Sequence, residues 1–229
     1  MRCVAETRYP HEVLGVVLSV RDGRLSALLW RRAEKPFVGR WALPGGILGA
    51  DERLGTAVAR HLARKVDIQE IAHLEQLETR SDPKRDPRGR VLATAYLGLV
   101  PAGAEPDLPD DTAWHPVDAL PRTAFDHGSI AESGRARLRA KLSYTTIGYA
   151  LAPDTFTISQ LRDIYGAALG HEVSATNLQR VLLRRGVLVP TNSTVAPTRS
   201  GGRPAAVYRF RDRNLLVTNE FAAFRPGPA

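Results

Sequence analysis

Trp41-Ala42-Leu43-Pro44-Gly45-Gly46, five residues, Glu52, seven residues, then Arg60-His61-Leu62-Ala63-Arg64-Lys65-Val66-Asp67-Ile68: the fold of this chain is decided in the stretch between Trp41 and Ile68. Pro44-Gly45-Gly46 reads as a breaker that brings bare backbone amides close to anything bound there. Leu54, Val58, Leu62 and Val66 recur every four residues and form the buried stripe of a helix from about Arg53 to Val66. His61, Arg64 and Lys65 are spaced i, i+3, i+4, so they share one face beside that stripe. A guanidinium and an ammonium offer only donors and positive charge, whereas magnesium takes hard oxygen ligands in near-octahedral geometry. Such a face repels a divalent metal and attracts phosphate. The plainer reading is a solvated basic helix face.

Outward from this stretch, the N-terminal side reads as β-structure. Val13 to Val20 is rich in Val and Leu, Arg21-Asp22-Gly23-Arg24 is a hairpin turn, and Leu25 to Arg31 is the return strand. On the other side, His73 to Glu78 and Val91 to Val100 read as strands around a polar loop with Asp82-Pro83 and Asp86-Pro87. An acidic, Pro-rich loop from Pro101 to Asp111 follows, and a helix is expected from Ser129 to Leu142. Mixed strands and helices opened by a hairpin predict an α/β sandwich. His127, just before that helix, reads as a helix N-terminal or packing histidine rather than a catalytic one.

From Tyr144 the chain changes character. Tyr144 to Ala150 is expected to extend or follow the connecting helix, and Pro153 ends it. Thr157-Ile158-Ser159-Gln160 is a capping-box pattern, opening a helix with Leu161, Ile164, Tyr165 and Ala168 on one face. Gly170 suits the position after a helix end, and Ser174 is an N-cap for a second helix that buries Leu178, Val181 and Leu182. A helix, a short Gly-containing turn and a capped second helix read as helix-turn-helix. Val187 to Thr191 and Ala206 to Phe210 are then two strands, and the basic Gly-rich tip between them, Pro197 to Pro204, reads as a wing.

Composition bounds the function. The 229 residues carry a formal net charge of +8 and a pI of about 10.1. Residues 1–143 hold 22 Lys+Arg against 19 Asp+Glu, whereas residues 144–229 hold 10 against 5, so the basic excess is denser in the shorter C-terminal part. That distribution suits a nucleic-acid module; a general preference for Arg is the bland alternative, since only four lysines occur. Cys3 is the only cysteine, which excludes an intramolecular disulfide and a Cys-based zinc site and fits a reducing compartment. No signal peptide or membrane span is expected. No P-loop and no Gly-x-Ser-x-Gly elbow appears.

The central spacing resembles the Nudix box: Gly, five residues, Glu, seven residues, Arg-Glu-apolar-x-Glu-Glu-x-Gly-apolar. Gly46, Glu52, Arg60, Leu62 and Ile68 fit it. The three later glutamates of the pattern are here His61, Arg64 and Lys65, and its late glycine is Asp67. In that family the carboxylates hold magnesium against a diphosphate. Arg85 to Arg90, Trp114 to Val117 and Ala124 to His127 resemble one branch of the superfamily, which contains ADP-ribose pyrophosphatases and the Nudix-related transcriptional regulators of NAD metabolism, the NrtR family. Tyr144 to Phe210 resembles the winged helix-turn-helix domain of those regulators. The resemblance implies a Nudix-like α/β/α sandwich over residues 1–143 and a winged helix-turn-helix over residues 144–229.

It further implies a cytoplasmic, homodimeric repressor of NAD-biosynthesis or salvage genes. Such a protein binds a palindromic duplex DNA operator, is released by ADP-ribose, and needs no metal or other cofactor. For the ligand, the residues point to the backbone of Gly45 and Gly46 and the charges of Arg31, Arg32, Arg64 and Lys65. For base reading, Thr176, Asn177, Gln179 and Arg180 lie near the start of the second helix and off its buried stripe. Arg184, Arg199 and Arg203 suit phosphate or minor-groove contacts, and Arg137 and Lys141 on the connecting helix add two more candidates. Two rivals stay open: an active ADP-ribose pyrophosphatase with an appended nucleic-acid module, and a non-sensing scaffold or RNA-binding protein.

Overall fold

The computed structural model describes residues 8–68, 70–196 and 204–218. Strand β1 (His11–Arg21) is the axis of the first domain. Its side chains alternate: Val13 and Val17 enter one core, Leu14, Val16 and Leu18 another, as in a pleated strand covered on both faces. β2 (Arg24–Arg31) returns antiparallel through Asp22-Gly23, both at positive φ, the backbone that a tight hairpin requires. β3 (Trp41–Ala42) pairs with the end of β2.

β4 (Gly45–Ile47) pairs with the start of β1, with Gly45 opposite Leu14 and Gly46 opposite Val13. The expected open breaker is therefore a short strand, and part of its backbone is spent on the sheet. A Cβ at position 45 would collide with the Val13 carbonyl, so the glycine is what lets the two backbones meet.

Helix α1 (Leu54–Val66) buries Ala57, Val58, Leu62 and Val66 against the Val13 face of β1. Burial of Val and Leu side chains at about 1.5–3 kcal/mol each outweighs any intrinsic propensity here. Asp67 closes the helix in the left-handed conformation, φ 49°, while the Ile68 amide donates to the Leu62 carbonyl at 3.3 Å. An aspartate thus does the conformational work of the glycine it stands for.

β5 (His73–Arg80) pairs antiparallel with β6 (Leu92–Leu99), and β6 runs parallel to β1. β7 (Thr112–Pro116) adds to β2. The sheet order is β3-β2-β1-β6-β5, with β4 and β7 attached to β1 and β2. Helix α2 (His127–Tyr144) covers the face opposite α1. It approaches closely at Gly134, where a Cβ would lie 2.6 Å from Val16 Cγ1. The result is the expected α/β/α sandwich.

α2 stops at Tyr144 instead of running on toward Ala150. Thr145 is extended, and Ile147–Ala150 forms a single 3-10 turn. The Thr145 hydroxyl donates to the Lys141 carbonyl at 2.7 Å and that of Thr146 to the Asn214 carbonyl at 2.7 Å. Such side-chain bonds compete with helix continuation.

The second domain comprises β8 (Phe156–Thr157), α3 (Ile158–Leu169), α4 (Ala175–Arg184), β9 (Leu188–Val195) and β10 (Ala205–Phe210), with sheet order β8-β10-β9. The capping box forms as expected: the Gln160 amide donates to Thr157 Oγ1, and the Thr157 amide to Gln160 Oε1 at 2.8 Å. Gly170 ends α3 at φ 74°, and the Ser174 hydroxyl accepts from the Asn177 amide. Leu178 and Leu182 are buried, but Val181 is only half-buried.

The two domains share one core. Leu138 and Leu142 of α2, Ile147, Phe156, Leu161, Tyr165, Leu178, Leu182 and Phe210 are continuous with the Leu14 and Val16 face of β1. A backbone bond also crosses the junction: the Ala102 amide donates to the Leu151 carbonyl at 2.8 Å. The connecting helix is thus not the only link between the domains. No helix among the described residues is long and apolar enough to cross a membrane.

Candidate functional site

The three degenerate positions of α1 have different surroundings. His61 lies under β4, where a Cβ on Gly46 would collide with its ring. Its Nε2 is 3.1 Å from the Ile47 carbonyl. Burial, followed by the nearby Arg60 and Lys65 charges, outweighs that bond and lowers its pKa, so the ring is neutral and donates to the carbonyl. Lys65 packs on β2, with Nζ 4.3 Å from the Trp30 ring centroid, and burial lowers its pKa. Arg64 is exposed. The remaining glutamate of the box, Glu52, is already engaged. It accepts from the Gly49 amide at 2.8 Å and from Arg60 Nε at 3.0 Å, and the Arg60 bonds above all hold its pKa at about 2.

This donor set does not fit magnesium. It offers a carbonyl-bound imidazole, two cations and a carboxylate committed to Arg60, where the ion needs free oxygen ligands.

Beside α1 lies a buried charge network that the sequence reading passed over. The Arg85 side chain, 2% exposed, reaches Glu12 Oε2 at 3.5 Å and Asp126 Oδ1 at 2.9 Å. Burial raises the Glu12 pKa, and Arg85 offsets this only in part. Arg32 donates from Nε to the Pro36 carbonyl at 2.9 Å, and its guanidinium lies 5.0 Å from the Phe125 ring centroid. Burial first, and the Arg88 charge second, lower its pKa. Arg32 and Lys65 act on each other electrostatically. Arg31 does not join them: it lies over Trp41, beside His115. Trp41 itself is half-buried against the core. The Arg-Asp-Pro-Arg loop was legible as a motif, but the depth of Arg85 depends on Glu12 and Asp126, far off in sequence.

His127 is the first residue of α2 and is 2% exposed. Its Nδ1 accepts the Leu43 amide at 2.9 Å, which puts the ring proton on Nε2. Burial drives its pKa to about 3. It is a neutral post that fixes the Leu43 backbone to α2, in line with the packing role expected.

On α4, Thr176, Asn177, Arg180 and Arg184 are exposed. Arg180 Nη2 donates to Asn177 Oδ1 at 2.7 Å, which ties the two into one polar surface. Gln179 departs from expectation. It is half-buried, and its Nε2 donates to the Tyr208 hydroxyl at 2.9 Å, fastening the helix to β10. Arg199 and Arg203 lie outside the described residues.

Arg137 and Lys141 also turn out differently. Lys141 Nζ is 2.7 Å and Arg137 Nη1 3.4 Å from the Glu75 carboxylate on β5, and Arg137 also donates to the Leu77 carbonyl at 3.1 Å. Burial alone would raise the Glu75 pKa, but hydrogen bonds from Lys141 and His73 outweigh it and lower the pKa. Both cations are engaged by that carboxylate, Lys141 largely enclosed and Arg137 with 38% of its side chain still exposed.

Two family models match the chain: the NUDIX domain over residues 9–133 and the NrtR DNA-binding winged helix domain over residues 148–210. Over 212 residues the chain is 32% identical to the "ADPR responsive transcriptional repressor NtrR" of Acinetobacter baylyi, covering 88% of this chain and 83% of that relative. The chain belongs to the NrtR family. The crystal structure of Shewanella oneidensis NrtR complexed with a 27mer DNA matches this NrtR-family chain with a TM-score of 0.75 at 29% identity, covering 87% of this chain and 93% of that one. The NUDIX domain of the same Shewanella protein, complexed with ADP ribose, matches with a TM-score of 0.51 at 34% identity, covering 58% of this chain and 91% of that one.

Proposed function

We propose that this chain is a transcriptional repressor whose Nudix-type domain binds ADP-ribose without hydrolysing it and thereby releases operator DNA. The observation that carries the proposal is the face of α1. The helix and its buried stripe are intact, but His61, Arg64 and Lys65 stand where a hydrolase needs carboxylates, and the same chain carries a capped winged helix. A pocket that binds without turnover makes sense when occupancy is the output.

Of the ligand residues proposed from sequence, Arg32 and Lys65 are proposed to take the diphosphate, the charge of Arg32 acting on Lys65. Arg64, exposed on α1, and the β4 backbone of Gly45 and Gly46 are proposed to add to them, and Arg31, which lies over Trp41, is the outlier. In the winged helix, Thr176, Asn177 and Arg180 are proposed to read bases, and Arg184, with Arg199 and Arg203 of the wing, to contact phosphates. A homodimer on a palindromic operator is the expected assembly. The regulated genes are proposed to serve NAD biosynthesis or salvage, in the cytoplasm.

The test combines two measurements on the full chain. Fluorescence anisotropy with an operator duplex should show ADP-ribose weakening DNA binding by about 5–150-fold, the range of ordinary allosteric coupling. Incubation with ADP-ribose and magnesium or manganese should release no AMP. Steady turnover at about 1 s⁻¹ or more would make the chain a pyrophosphatase instead. Unchanged DNA affinity at saturating ligand would remove the sensing mechanism.

A further inference from the structure

Lys65 is half-buried, and among the described residues its ammonium has no ion pair. It is held by the Trp30 ring, and Trp30 is itself fixed by its indole N–H, which donates to the Leu43 carbonyl at 3.2 Å. The charge of Arg32, whose Nε is spent on a backbone carbonyl, acts on Lys65. Glu12 acts on Lys65 from a distance, but Arg85 already engages it. Burial lowers the pKa of Lys65 first; the charges of Glu12, Glu34 and Asp111 raise it and that of Arg32 lowers it, and the net shift is downward. A half-buried ammonium that no carboxylate pairs with among the described residues is an arrangement that an incoming anion stabilises. A cation–π contact fixes Nζ in place and leaves its N–H donors directed elsewhere.

We infer that Lys65 is the built-in counter-ion of the bound diphosphate: its ammonium stands in for the magnesium ion of the hydrolases, so ligand binding requires no divalent metal. The inference rests on the reading of the first domain as a nucleotide-diphosphate sensor. It goes further by assigning the charge balance to one side chain and by predicting metal independence.

The full chain is titrated calorimetrically with inorganic pyrophosphate and, separately, with ADP-ribose, each in EDTA and in excess magnesium. Wild type, Lys65→Met and Lys65→Arg are compared, with circular dichroism as the check on folding. Wild type should bind pyrophosphate equally well in EDTA and in magnesium. Lys65→Met should bind at least about tenfold more weakly, the scale of one charge-assisted contact, and Lys65→Arg should recover most of the loss. Binding that appears only with magnesium, no binding of pyrophosphate in either buffer, or a folded Lys65→Met of wild-type affinity would each overturn the inference. Lys65-dependent binding of pyrophosphate without any binding of ADP-ribose would uphold the counter-ion and overturn the ADP-ribose reading alone.

Discussion

Replacing Gly170 by alanine probes how the winged helix is fixed to the connecting helix. Gly170 sits at φ 74°, a conformation that costs an L-residue about 1–2 kcal/mol. At an ordinary helix end that would be the whole effect. Here the new Cβ would also collide with Arg139 Nη2. Arg139, on α2, donates from Nε to the Ala168 carbonyl at 3.2 Å, on the last turn of α3. A cation there satisfies an orphan carbonyl and complements the helix dipole, and because the side chain is only half-buried the pair is worth about 1 kcal/mol. Arg139 borders a cleft of about 820 Å³ between the domains, lined also by Arg24, Arg135 and Arg162. Its guanidinium therefore has room to swing away, and the collision costs the hydrogen bond rather than packing.

Gly170→Ala should accordingly destabilise the wild-type chain by about 2–3 kcal/mol, but an Arg139→Met chain by only about 1–2 kcal/mol. Thermal melting of all four chains reads the difference, at about 2–4 °C per kcal/mol for a protein of this size. Equal losses in both backgrounds would refute the placement of Arg139 against position 170.

Glu52 is held at about 2 by its Arg60 hydrogen bonds against 4.5 when free, so its stabilisation is complete above pH 4.5 and fades as pH falls toward 2. Glu52→Gln should melt below wild type at neutral pH and converge with it in acid; a gap that persists would count against the pair. Buried His127 refuses a proton until about pH 3, while the unfolded chain takes one near 6.5, so stability falls as pH drops through that interval. That part of the slope should vanish in His127→Gln, and an unchanged slope would assign the effect elsewhere. In the winged helix, Gln179→Ala should weaken binding to every duplex alike, because the amide holds Tyr208. Asn177→Ala should instead relax preference at one base pair by about 1–3 kcal/mol. Competition assays with single-position operator variants separate the two, and a Gln179→Ala defect confined to one base pair would restore that residue to direct reading.

Local signals were legible in the sequence. The four-residue recurrence of Leu54 to Val66, the Asp22-Gly23 turn, the Thr157–Gln160 box and the glycine after α3 each encode structure within a few residues, and each forms as read. What escaped depends on partners far along the chain. Gly45-Gly46 becomes a strand because β1 lies against it. Arg137 and Lys141 are engaged by Glu75, which stands across from them on β5. Gln179 has a polar side chain at a base-reading position, yet Tyr208, 29 residues later, claims it. Likewise, the face of α1 was readable as degenerate, but not that His61 would lie beneath Gly46 while Arg64 stayed exposed.

The alternation of side chains along β1 bears on how such a protein can change over generations. Val13 and Val17 belong to the core under α1, and Leu14, Val16 and Leu18 to the core shared with the winged helix. Slipping that strand by one residue would exchange the two sets and undo both domains at once. Positions 61, 64 and 65 stand off the buried stripe of α1, where a carboxylate can become an imidazole or a cation while Val58, Leu62 and Val66 keep the helix seated. Charge can therefore change cheaply on that face, whereas the strand shared by both cores cannot shift. A lineage built this way can recast the charge of one helix face in a few substitutions and still inherit, intact, the shape that carries it.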